Sequence, residues 1–372
     1  MTLVLYFSIE LFSIIAVYSY QAHSLSKKKD YRIFLVWLVL FLLIAFRDES
    51  VGRDYQTYIE AMERVATNNE RYYDFTWLSL GFRLLIKLIA FTGLKPFLVA
   101  HIVSAIIAAI TIYFFLKAII SLSINPALSL LILFSFCYIF QSMNQFRQMM
   151  AVSIILYSYK YINCDIKKYI LLVIFASLFH TSAIIMLPIF LLKKVKLNQI
   201  TIMFYLCIAI AVPMLWIYIK KIISLTSYGY YVGWEQYDTS LTISTILNLI
   251  VRVHLIIICL SVRKRVLAEN KKGYILYHMV ILCTIFQIVS VYITMFSRLT
   301  TYFYEFYILL LPEVFKAIKS YFTKNSQIFI DIIIISALVV YQVVYFQAQS
   351  YDSGYNVYKF IYMIQGSKGN SF

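Results

Sequence analysis

The sequence predicts an all-α polytopic membrane protein, on three observations. The 372 residues are 62% hydrophobic and only 13% charged, and the mean hydropathy of +0.80 lies far above that of a water-soluble domain. Apolar runs of roughly 15 to 25 residues recur from end to end, close to the ~20 residues a helix needs to cross the hydrocarbon core. Those runs are continuous and do not alternate in short strands, which excludes a transmembrane barrel.

Spans are predicted at 2–22, 31–46, 97–118, 126–143, 146–162, 199–219, 241–261, 274–295, 299–315 and 327–347, so about ten full transmembrane helices. The first is followed by KKKDYR at 27–32 and has no basic residue ahead of it, the pattern of an uncleaved anchor with its N-terminus outside. Residues 77–92, WLSLGFRLLIKLIAFT, carry Arg83 and Lys87 on one helical face and suit an interfacial or partly inserted helix. The stretch 168–192 is flanked by Lys167, Lys168, Lys193, Lys194 and Lys196 and holds His180 and Pro188; it is expected to be a re-entrant or broken helix.

Orientation is anchored on VRKRVLAENKKGY at 262–274, the densest basic loop, which belongs in the cytoplasm. Counting outward from it, a single integral membrane domain spans 1–372, with outer loops at 47–76 and 220–240 and an outer tail at 348–372. FRDESVGRD, NQFRQ, FHTS and SRLTTYF then all fall at the outer face, leaving simple basic loops inside.

The net charge of +16 sits in short clusters beside apolar spans, where orientation and lipid headgroups explain it and nucleic acid is excluded. Cys137, Cys164, Cys207, Cys259 and Cys283 have no CxxC spacing, which speaks against disulfides and structural zinc. Most of the 33 tyrosines are expected to be interfacial belt residues. No phosphate-cradling glycine loop, HExxH or serine elbow is present. Asp48 and Glu49 resemble a divalent-ion run, but Arg47 and Arg53 beside them favour an anionic ligand.

Arg147 sits among Asn144, Gln145 and Gln148 between two apolar spans. An Arg at membrane depth costs roughly 2.5 to 3.5 kcal/mol, which marks a functional candidate; the competing reading is a snorkelling anchor at a span end. The amides tip the balance, since an anchor needs only the charge. Arg298, Tyr302 and Glu305 fall at i, i+4 and i+7, open to an intramembrane ion pair or a substrate role. His180 is either a packing residue or part of the outer cluster. Glu10, His101, Arg252, His254, His278 and Asp331 are read as helix–helix hydrogen-bond partners. Several arginines with few carboxylates and no metal motif suit a lipid pyrophosphate, because guanidinium forks pair bidentately with phosphate oxygens.

At these residues the sequence resembles the EpsG-like exopolysaccharide proteins, related in role to the Wzy-type O-antigen and capsule polymerases. The resemblance rests on FRDESVGRDYQTY, NQFRQMMAVSI, SLFHTSAIIMLP and SRLTTYF, in that order. Arg53 departs from it, standing where the family usually has a small residue. The resemblance implies a metal- and cofactor-independent glycosyltransferase, GT-C-like in character, in the bacterial inner membrane. It would move a growing glycan from undecaprenyl pyrophosphate to a lipid-linked repeat unit at the outer face, with a flippase and a chain-length regulator as possible partners. By the same resemblance, Arg47, Tyr58, Arg147, Gln148, Arg298 and Tyr302 would bind substrate and His180 or Asp54 would act as base. Rival functions are a polyprenyl-phosphate-sugar-dependent glycosyltransferase and a lipid-linked oligosaccharide flippase.

Overall fold

The computed structural model describes residues 2–23, 31–68, 78–225, 243–270, 273–292 and 296–360. Among them all regular structure is helical, and an isolated antiparallel bridge joins Arg47 to Phe360. In chain order the helices are α1 (Thr2–His23), α2 (Arg32–Ala45), α3 (Tyr55–Ala66), α4 (Leu80–Ala90), α5 (Pro96–Leu122) and α6 (Pro126–Ser135). There follow α7 (Tyr138–Asn144), α8 (Phe146–Ser158), α9 (Ile166–Phe179), a 3-10 helix (Thr181–Lys194), α10 (Gln199–Met214) and α11 (Trp216–Ser224). The rest are α12 (Ile243–Ser261), α13 (Arg263–Glu269), α14 (Tyr274–Tyr292), α15 (Phe296–Tyr304), α16 (Tyr307–Lys319) and α17 (Lys324–Ser353).

The chain divides into two compact units. The first comprises Met1–Lys160, Ile170–Ile184 and Ile328–Phe372; the second comprises Tyr161–Tyr169 and Ile185–Gln327. In the first, α5 is the hub, packed by α2, α3, α4 and α8. Pro96 opens it at a position where a missing N–H costs nothing. Its buried residues Val99, Val103, Ile107, Thr111 and Phe115 recur every four residues along the face it turns inward. In the second unit α14 plays that part, packed by α10, α12, α15 and α16.

The sequence predicts about ten crossings, whereas among the described residues four helices are long and apolar enough to cross: Thr2–His23, Pro96–Leu122, Tyr274–Val291 and Lys324–Ala348. The number rises to six if the bent pairs α6 with α7 (48°) and α10 with α11 (74°) each count as one span. Arg32–Ala45 and Asn248–Ser261 are shorter apolar helices. The difference arises because a hydropathy run does not register where a helix stops. At 13 residues α8 is only about 20 Å long. The run 299–315 is interrupted at Glu305 and Phe306, between α15 and α16. Cys137, in the left-handed region at φ 59°, separates α6 from α7, and Pro213 precedes the α10 bend.

The stretch expected to be a broken helix is α9 followed by the 3-10 helix, with His180 at the junction. In that 3-10 segment Ala183, Met186 and Ile189 are buried at steps of three, as three residues per turn require. The stretch 77–92 forms α4 over Leu80–Ala90; residues 69–77 ahead of it, most of the 220–240 loop and the end of the tail at 361–372 lie outside the described residues.

Candidate functional site

The stretch FRDESVGRD interlocks with the α7–α8 junction. Arg47 is fully buried and stacks over the Tyr55 ring at 3.5 Å. Its guanidinium donates to the carbonyls of Val51 (3.2 Å), Met143 (3.0 Å) and Ile44. Gly52, at φ +103°, lies so close to the same junction that a Cβ would come within 2.4 Å of the Met143 carbonyl oxygen. Only glycine fits there, both for its backbone conformation and for the contact. Two residues on, the Asp54 amide donates to Asn144 Oδ1 at 2.8 Å.

The C-terminal segment closes over the back of this loop. The Gly52 amide donates to the Gly354 carbonyl and the Asp48 amide to the Lys359 carbonyl, each at 2.9 Å. Tyr358 donates to the Leu43 carbonyl at 2.7 Å and Tyr6 to the Tyr355 carbonyl at 3.0 Å.

The interlock fixes the start of α3 against the start of α8 and so brings Tyr58 to Arg147. Arg147 Nη2 donates to the Tyr58 hydroxyl at 3.3 Å, and the guanidinium carbon lies 4.8 Å from the Tyr58 ring centre and 5.2 Å from that of Phe82 on α4. Phe146 supports all three elements with ring contacts to Tyr58 (4.8 Å), Phe82 (5.8 Å) and Tyr55 (6.1 Å). Arg147 and Gln148 are each 4% exposed, in the first turn of α8, where backbone N–H groups have no partner in the helix and favour negative charge. Asp54 is exposed, and its side chain caps no helix.

His180 is reached through α4. Ser79, just before α4, shares a hydrogen bond with Thr181 at 3.3 Å. Gly81 packs so tightly on α9 that a Cβ would sit 2.7 Å from Leu178 Cβ. His180 itself is half-buried, its amide bonded to the Ala176 carbonyl at 3.0 Å. The first unit thus gathers Asp54, Tyr58, Arg147, Gln148 and the His180 junction around α4 and α8.

Arg298 and Tyr302 belong to the second unit. Arg298 is exposed on α15, while Tyr302 and Glu305 are fully buried. Among the described residues neither carboxylate oxygen of Glu305 accepts a hydrogen bond, and the ion pair left open by the i, i+4, i+7 spacing is not formed with Arg298. Glu305 instead lies past the end of α15, next to Phe303, which stacks on Phe286 at 5.0 Å.

Among the residues read as helix partners, Glu10 accepts from Gln342 at 2.6 Å, and His278 links to Tyr205 at 2.8 Å and to the Val195 carbonyl at 3.0 Å. His101 and His254 instead bond to carbonyls of their own helices, Phe97 and Ile250. Among the described residues no three His, Cys, Asp or Glu side chains group as metal ligands. Sequence reasoning missed Phe82 as a wall of the site, although Phe82 and Ile86 stand i, i+4 on the face of α4 opposite Leu80, Leu84 and Leu88, a legible signal.

No curated protein and no solved structure matches this chain. The model of the EpsG family matches residues 30–360, a span that holds the interlocked loop, the Arg147 junction, His180 and α15. This membrane protein belongs to the EpsG family.

Proposed function

We propose that this protein is a polysaccharide polymerase of the bacterial inner membrane. In this reading it transfers a growing glycan from undecaprenyl pyrophosphate to a lipid-linked repeat unit at the outer face. The observation that carries the proposal is Arg147, set by Tyr58 and Phe82 at the first turn of α8 with the exposed Asp54 one helical turn from Tyr58. A guanidinium between aromatic faces is shielded from water, which strengthens its attraction for a diphosphate.

In the transfer, a hydroxyl of the acceptor sugar attacks the anomeric carbon of the donor. The bond from that carbon to the diphosphate oxygen breaks, and the hydroxyl proton passes to a base. Arg147 and the α8 N-terminal turn hold the charge developing on the diphosphate. We assign the base to Asp54, whose backbone is fixed by Asn144 and whose carboxylate is exposed. His180 is the alternative base. Gln148 supports the phosphate, and Arg298, exposed on α15, binds a phosphate within its own unit. Tyr302, fully buried, packs. Arg47 is assigned to holding the loop, because its donors meet backbone carbonyls and it is closed to solvent.

The glycan ladder of a deletion strain tests the proposal. Loss of a polymerase leaves a single repeat on its carrier, loss of a flippase leaves none, and loss of a side-branch transferase leaves a full ladder of altered units. A ladder of either latter kind would refute the proposal.

A further inference from the structure

We propose that the side-chain amide of Asn144 binds the acceptor sugar, donating to a hydroxyl whose own proton faces the Asp54 carboxylate. This deepens the polymerase reading by assigning an acceptor subsite, and it rests on that reading for Asp54 as the base.

Asn144 is the last residue of α7, and its side chain is held at one end only. Its Oδ1 accepts from the Asp54 amide at 2.8 Å. A backbone N–H can donate only to an oxygen here, so this contact fixes which end of the side chain carries the NH2 group. The Asn144 backbone is packed as closely as its side chain is tied, since a Cβ at Gly52 would come within 3.4 Å of the Asn144 Cα. Although Asn144 is only 9% exposed, its NH2 group is not among the polar atoms sealed from solvent, and among the described residues it has no hydrogen-bond partner. Two donors of fixed direction therefore reach the surface. Asp54 is itself exposed and its carboxylate caps no helix. The Cα that bears this carboxylate is bonded to the nitrogen that Asn144 holds.

A tie between α7 and α3 accounts for the oxygen of Asn144 but not for its amino group. An aspartate would accept the same bond and, at the start of α3, would gain from the helix dipole. What the amide adds is a pair of donors beside a carboxylate, and a sugar hydroxyl satisfies both: its oxygen accepts from Asn144 and its proton points to Asp54. An ionised diphosphate has no proton for Asp54 and is repelled by it, so the diphosphate stays with Arg147. In the transfer, one lone pair of the hydroxyl oxygen stays with Asn144 and the other forms the bond to the anomeric carbon. The proton passes to Asp54 as the bond from that carbon to the diphosphate oxygen breaks.

The test measures binding to the full-length protein in detergent with two probes, the lipid-linked oligosaccharide extracted from the native membrane and bare C55 polyprenyl diphosphate. The quantity read is the ratio of the two affinities, in which the effect of a substitution on the shared diphosphate cancels. Wild type is expected to prefer the glycan-bearing probe. Asn144→Asp keeps an oxygen for the Asp54 amide and loses both donors, and the preference is expected to fall about three- to tenfold. Asp54→Ala changes an exposed side chain and leaves its backbone contact, so it is the second variant should the first not fold; the preference is expected to fall by a similar factor. Equal affinity of wild type for the two probes overturns the proposal, as does an undiminished preference in either folded variant. A lower thermal midpoint for Asn144→Asp with an unmoved ratio would make Asn144 a tie between helices and nothing more. The two readings fail separately, because the ratio requires no turnover. A full glycan ladder in the deletion strain with a ratio that falls in Asn144→Asp removes the polymerase and keeps the hydroxyl site. A single-repeat ladder with an unmoved ratio does the reverse.

Discussion

Arg147 Nη2 donates to the Tyr58 hydroxyl at 3.3 Å while its guanidinium carbon lies 4.8 Å from the centre of the same ring. Tyr58 thus holds the cation in two ways, by an acceptor oxygen and by a π face, and the two are separable. Tyr58→Phe keeps the face and loses a long hydrogen bond, an effect of about 1 kcal/mol. The expected outcome is less than ~10-fold loss of kcat/KM in a polymerisation assay. Tyr58→Ala removes the ring as well and is expected to lose activity far more. Equal effects would show that the ring does not position Arg147.

Arg147→Lys retains the charge and loses the planar fork. Loss of one donor to a developing oxyanion costs about 10²–10³ in rate, and a lysine does not restore the bidentate geometry. A strain carrying Arg147→Lys is expected to show a ladder collapsed to the single repeat at normal protein level. A full ladder would remove Arg147 from diphosphate binding.

Arg47 and Arg147 look alike in the sequence, each an Arg in a short polar stretch beside an apolar run, yet their surroundings differ. Arg47 donates to backbone carbonyls of Val51 and Met143 and is closed to solvent. Arg47→Met should strand those carbonyls, at ~1–3 kcal/mol for each one left unpaired. The expected result is a lower thermal midpoint in detergent and less protein in the membrane, with kcat/KM per folded molecule close to wild type. An unchanged midpoint with a raised KM would return Arg47 to substrate contact.

That contrast shows what was legible in the sequence. Hydropathy was enough for an all-helical membrane chain, and the clustering of Arg, Asn, Gln, Asp and Tyr marked the stretches that the first unit brings together. Which arginine is taken up by backbone carbonyls and which lies among aromatic faces depends on contacts across 96 residues, from Arg47 to Met143, and no local pattern carries that. The helix breaks were hidden for a related reason. Cys137 takes the left-handed conformation usually left to Gly or Asn, and Glu305 ends α15 inside an apolar run. The strap formed by Gly354 and Lys359 on the first loop is made of backbone hydrogen bonds, for which side-chain identity gives no signal.

Gly52→Ala tests the interlock itself. A residue other than glycine at φ +103° costs about 1–3 kcal/mol from backbone strain alone. The added Cβ would also strike the Met143 carbonyl oxygen at 2.4 Å, and backbone there has little room to yield. Expected are a fall in thermal midpoint and loss of polymerisation together, since the contact sets the position of α3 relative to Arg147. Gly93→Ala is the control: its Cβ would meet nothing within 4 Å, which leaves only the strain of its positive φ. A Gly52→Ala protein as stable and active as the Gly93→Ala protein would contradict the close packing.

Glu305 is fully buried at the α15–α16 junction, and among the described residues neither of its carboxylate oxygens has a hydrogen-bond partner. Leaving such a group without a partner costs at least ~1–3 kcal/mol, and an apolar side chain of similar volume does not bear that cost. Glu305→Met is therefore expected to raise the thermal midpoint of the purified protein. Natural chains keep an unsatisfied buried polar group where function requires it, so the same substitution is expected to lower polymerisation by about tenfold or more, a loss of at least ~1.4 kcal/mol in transition-state stabilisation. Glu305→Gln separates shape from chemistry, since it preserves volume and removes the acidic proton. A Met variant that is more stable and fully active would reduce Glu305 to a tolerated defect in packing, and one that is less stable would show that the carboxyl is satisfied in the membrane.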